Sequence, residues 1–135
     1  MLLRWMIVGI SALLLAGCNV VSTCDDGGGG IRLFGKDQVE QKLEIGVKEY
    51  EEGNYVTSTN ALEAVLASKT ASNAQRVRAN KYLAFINCVS SREKSCREYF
   101  RKVLEVNPNF NLSAAEAGHP IWGPVFNSVK GKFSK

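Results

Sequence analysis

Catalytic chemistry has little to draw on in this chain. It holds one histidine in 135 residues, so a Ser/His/Asp triad would rest on His119, a residue set among glycines and prolines with no nucleophile elbow nearby. The same histidine has no partner at ligand spacing, so no metal site is expected. Glu51 and Glu52 are adjacent carboxylates at an expected helix end, where solvation accounts for them. A wall-cutting enzyme would need a deep carboxylate cleft, for which a small helical domain leaves little room. The run Gly27-Gly28-Gly29-Gly30 is followed by no Lys-Ser/Thr pair and preceded by no strand, which excludes a phosphate loop. No cofactor is expected. Charge of one sign is also scarce: 17 basic against 13 acidic residues leave +4, which points to no partner class, and nucleic acid is not expected. The long apolar run, Trp5 to Ala16, falls short of the roughly 20 residues a spanning helix needs.

What is present at the N-terminus fits export. Arg4, the apolar run and the small residues after it have the layout of a secretory signal peptide. Leu15-Ala16-Gly17-Cys18 resembles the lipobox of bacterial lipoproteins. The resemblance implies a diacylglycerol on the Cys18 sulfur, cleavage after Gly17 and acylation of the new amino group; the alternative is a plain signal peptide with an incidental Cys18. Stable anchoring takes at least two acyl chains, so a lipid bilayer is the first expected partner. Asn19 resembles the outer-membrane default of lipoprotein sorting, which places the chain in the cell envelope with its domain facing the periplasm. The expected organisation is a leader over 1–17, a lipidated cysteine and glycine-rich tether over 18–36, and a helical domain over 37–135.

Within that domain the apolar spacing is helical throughout. Asp37 with Glu40 has capping-box spacing, and Val39, Leu43, Val47 and Tyr50 follow at helical intervals until Gly53-Asn54. A second helix after Tyr55 carries Leu62, Val65 and Leu66, and its β-branched start makes it depend on packing. Ser68 to Asn73 is a polar break. A third helix runs through Val77, Leu83, Ile86 and Val89. Ser90 with Glu93 then opens a fourth helix, with Cys96, Tyr99, Phe100, Val103 and Leu104, which ends before Pro108. Ser113 with Glu116 opens a short turn closed by Gly118, and Pro124 suits the first turn of a last, lysine-rich helix. Short links make consecutive helices antiparallel.

Cys88 and Cys96 flank the turn between the third and fourth helices, each four residues from Arg92, so antiparallel helices set them level. In an exported protein that spacing suggests a disulfide; two buried free thiols are the alternative. The pair is not a Cys-x-x-Cys redox motif. Cys24 is left over in the tether, free or joining two molecules.

The stretches Gly46–Ala67 and Ala84–Glu105 are both helix–turn–helix units, with equivalent positions 38 residues apart. Ile45, Gly46, Gly53, Tyr55, Leu62 and Leu66 in one, and Leu83, Ala84, Cys96, Phe100, Val103 and Pro108 in the other, resemble the tetratricopeptide repeat (TPR). Ser58 stands where that repeat expects Ala, and the early Trp is missing from both. The expected fold is therefore all-α: two TPR-like antiparallel helical hairpins, one stapled by a disulfide, and a C-terminal capping helix. The resemblance implies a concave binding surface lined by Leu43, Val47, Tyr50 and Glu51 from one unit, and by Arg78, Lys81 and Phe85 from the other. Trp122 has two readings, an exposed anchor for a partner or a plug on the core, and His119 can serve as a backbone cap.

The segment Ala117–Phe126, with Cys88, Cys96 and the Ser-Arg-Glu between them, resembles a group of TPR-like lipoproteins encoded with bacterial type VI secretion systems. That likeness implies a non-catalytic accessory component whose partner is another secretion-apparatus or envelope protein. A pilotin-like lipoprotein that assists a secretin or pilus, and a peptidoglycan-acting enzyme, are the other readings.

Overall fold

The computed structural model describes the backbone of residues 31–133 and the side chains of 38–133. The expected leader, Cys18, Cys24 and the four-glycine run lie outside the described residues. Six helices follow in order: α1 (Ile31–Glu51), α2 (Tyr55–Ala67), α3 (Asn73–Val89), α4 (Glu93–Val106), α5 (Ala114–Ala117) and α6 (Trp122–Phe133), with no strand among the described residues. No described helix is long and apolar enough to cross a membrane.

Two helix starts differ from expectation. Asp37 lies inside α1, which begins at Ile31, so Asp37 and Glu40 do not cap it. Ser90 does not open α4 either. It closes α3, its N–H reaching the carbonyl of Ile86 at 3.0 Å, and Arg92 takes the N-terminal position of α4 without a side-chain cap. Elsewhere the capping logic holds. Ser113 and Glu116 form a reciprocal box at α5. Ser72 and Gln75 form another at α3, inside the stretch expected only as a polar break.

The first hairpin closes on Gly53, whose φ of +81° suits glycine. Asn54 N–H reaches back to the Glu49 carbonyl (2.8 Å) and Gly53 N–H to that of Tyr50 (3.0 Å), the paired bonds of a Schellman cap. The second hairpin closes identically 38 residues later: Arg92 N–H bonds the Asn87 carbonyl (2.9 Å), Ser91 N–H that of Cys88 (3.2 Å), and Ser91 carries the left-handed φ of 59°. The two turns thus match at a spacing of 38 residues.

Cys88 and Cys96 form a disulfide across this second turn, with Cα atoms 5.0 Å apart. In the first hairpin the position equivalent to Cys96 is Ser58. It is fully buried, and its hydroxyl donates to the Gly46 carbonyl at 2.6 Å. Gly46 is there because the helices touch: a Cβ would sit 2.7 Å from Leu62 Cδ2. A polar side chain thus replaces the expected alanine without being left unpaired.

Helix α3 is central, packing against α1, α2, α4 and α6. One of its sides joins Val39, Leu43, Leu62 and Val65 through Ala79, Leu83 and Ile86. The other joins Phe100, Leu104, Leu112, Trp122 and Phe126 through Ala84, Phe85 and Cys88. Tyr50, Tyr82 and Tyr99 touch both clusters. Burying each of these large apolar side chains is worth about 1.5–3 kcal/mol, so the domain's stability passes largely through α3.

Candidate interaction face

Helices α1, α3 and α5 bring together the face on which partner contacts were expected. Its backbone is a row of aromatic rings. Tyr55 and Tyr50 lie 6.0 Å apart between centroids, Tyr50 and Tyr82 5.1 Å, Tyr82 and Phe85 5.8 Å, and Phe85 and Trp122 stack at 4.4 Å. The row runs from surface to core: Tyr50 and Tyr82 are half-buried, whereas Phe85 and Trp122 are 2% and 8% exposed.

This corrects part of the expected set. Phe85 and Trp122 are core residues, because each has the other's ring and Phe100 or Phe126 to pack on. Leu43 and Val47 are buried as well. Trp122 therefore plugs the core; its indole N–H donates to the Glu116 carbonyl at 2.9 Å. His119 stacks on the same indole, and its Nδ1 accepts from the Ile121 N–H at 3.2 Å, a local backbone cap. Gly123 follows because a Cβ there would run into the Ala117 carbonyl.

Tyr50, Arg78 and Lys81 remain at the surface, but the two cations are already engaged. Arg78 Nη1 donates to Glu44 Oε1 at 2.5 Å and lies 3.6 Å from Glu40. Lys81 Nζ pairs with Glu116 at 2.5 Å, with both side chains largely shielded, and sits 4.7 Å over the Tyr82 ring. They act as braces that tie α3 to α1 and to α5. Gln75 adds a third tie, donating to Glu40 at 2.6 Å.

The titration of these groups follows the packing. Burial pushes the Tyr50 hydroxyl up to about 12, reinforced by the nearby Tyr55, Tyr82, Glu116 and Glu51. Burial also raises Tyr82; Arg78 opposes that, and Glu116, Glu51 and Glu44 add to it. For Glu116, burial acts upward, yet the Lys81 hydrogen bond, the Ser113 N–H and the Lys81 charge together hold it below the ordinary value. Both tyrosines thus stay neutral hydrogen-bonding groups beside fixed carboxylates.

Tyr82 and Glu44 were not singled out from the sequence, and Glu116 only as the capping partner of Ser113. Arg78 and Glu44 are 34 residues apart and Lys81 and Glu116 are 35 apart, so no helical spacing rule reveals them. Among the described residues no three His, Cys, Asp or Glu side chains converge to hold a metal ion. The arrangement offers rigid aromatic surface, two hydroxyls and net negative charge, which suits recognition by contact. Comparison with known proteins finds no family model, no curated protein and no solved structure that matches the chain.

Proposed function

We propose that this chain is a lipid-anchored, non-catalytic binding scaffold of the bacterial envelope, and that its α1–α3–α5 face docks a segment of another envelope protein. The Leu15-Ala16-Gly17-Cys18 lipobox supports the anchor at Cys18 and a periplasm-facing position at the outer membrane. The 38-residue recurrence of helix, Schellman turn and helix supports a TPR-like use of the hairpins, in which first helices present the binding surface. The likeness of the Ala117–Phe126 segment supports an accessory role in a type VI secretion apparatus.

The observation that carries the binding role is the half-exposed Tyr50–Tyr82 pair. It is held in place by the Arg78–Glu44 and Lys81–Glu116 bridges and neighboured by the exposed Glu51. Tyrosines presented on a braced surface lose little conformational entropy on contact, which favours them as interface anchors. Glu51→Lys inverts a charge beside the pair at the end of α1, where a cation suits the helix dipole. The full-length protein should then recover less partner from native membranes while keeping its thermal midpoint. Equal recovery would count against this face. Cys18→Ser should move the protein from the membrane to the soluble fraction; retention at the membrane would contradict the lipid anchor.

A further inference from the structure

A second surface lies away from this face, between α4 and α6. There a cleft of about 410 Å³ is lined by Lys94, Arg97, Glu98 and Arg101 from one helix and by Val129, Lys132 and Phe133 from the other. Its floor is apolar: Val129 is half-buried and Phe133 is 39% exposed. Its walls carry four cations. Arg97 is held by Glu93 at 2.7 Å and by the Ser128 hydroxyl at 3.2 Å. Arg101 is held by Glu98 and Glu105. Lys94 and Lys132, one from each wall, have no acidic partner among the described residues.

We infer that this cleft binds an acidic amphipathic segment of a partner protein, with an apolar side chain on Val129 and Phe133 and carboxylates on Lys94 and Lys132. Charge complementarity fixes the sign of the occupant: two ammonium groups without an acidic partner among the described residues line the same cleft as Val129 and Phe133, and each gains from a carboxylate. The same charge pattern disfavours an anionic lipid surface. Glu93, Glu98 and Glu105 run along α4 beside the arginines, so a sheet of phosphates would meet carboxylates, whereas a single segment can place its acids on the two lysines alone. A cleft of this volume accommodates one or two side chains of such a segment.

The test uses the full chain in phosphatidylcholine nanodiscs and two fluorescent synthetic helices. Both carry Leu at i, i+3, i+4 and i+7; one has Glu at its polar positions and the other Lys. The Glu helix should bind about tenfold more tightly than the Lys helix, the sum of a few exposed charge pairs, and salt should weaken it. Lys94→Glu with Lys132→Glu should reverse the preference at an unchanged thermal midpoint. If that reversal lowers the midpoint, Lys94→Gln with Lys132→Gln should still abolish the preference. Equal binding of the two helices would overturn the inference, as would no effect of the lysine variants. Loss of Glu-helix binding in phosphatidylglycerol discs would assign the cleft to lipid. Salt-sensitive self-association blocked by the lysine variants would assign it to a second copy of the chain.

Discussion

Asn80 and Asn87 sit on the central helix, are both nearly fully buried, and differ in one respect. The Nδ2 of each donates one turn back, to the carbonyls of Arg76 and Leu83. Asn87 Oδ1 also accepts from Arg92 Nε at 2.7 Å, whereas Asn80 Oδ1 has no partner among the described residues. An unpaired buried acceptor is a cost that removal relieves, and a paired one is not. Asn80→Leu should therefore be nearly neutral to thermal stability, and Asn87→Leu should cost about 1–3 kcal/mol. Equal losses would contradict the assignment. Glu116 makes a pH statement at the same scale. Its folded value lies below the ordinary 4.5, so its contribution is complete above that pH and is lost as pH falls through the lower folded value. Lys81→Met should flatten that acid limb of stability; an unaltered limb would contradict the bridge. Tyr50 works in the opposite direction. Raised from 10.0 to about 12, it contributes below pH 10 and loses that contribution between 10 and about 12, readable as delayed tyrosinate absorbance in the folded protein.

Among the elements, the second hairpin is the most constrained. Its disulfide closes a loop of sequence separation 8, for which chain entropy gives about 2–3 kcal/mol. Reduction should lower the thermal midpoint without removing the helices, since α3 and α4 each pack on other elements. Ser91 holds a left-handed backbone that glycine holds more easily, so Ser91→Gly should stabilise by about 0.5–1 kcal/mol. The helices themselves were legible from apolar spacing, because each buries one face on a neighbour. The cysteine pair was legible too, since a turn of known length sets both residues level. The starts of α1 and α4 were not. Ser/Thr/Asp followed three residues later by Glu is a local pattern, and at Ser90 the same residue is used by the preceding helix as its stop. The matching turns were half hidden because Gly53 marks its left-handed position and Ser91 does not.

Across the whole molecule, the candidate face became visible only once the hairpins were docked. The sequence placed Tyr50, Arg78 and Lys81 on first helices, but sequence spacing could not show that Phe85 and Trp122 stack inward while Tyr82 stays at the rim. Nor could it pair Lys81 with Glu116. The face is built from α1, α3 and α5, tied by the two braces, so it should be among the last parts to loosen as the domain unfolds. Hydrogen exchange at α3 should be the slowest in the chain, because every other long helix except α6 packs on it extensively and both apolar clusters run through it. The central claim is that Tyr82 lies on a partner-binding face of a membrane-anchored protein. Photocrosslinking from position 82 in intact cells tests it most directly, with position 69, exposed in the link between α2 and α3, as the control. A discrete crosslinked partner from position 82, absent from position 69 and lost with Cys18→Ser, is the predicted result. The same products from both positions, or none from position 82, would contradict it.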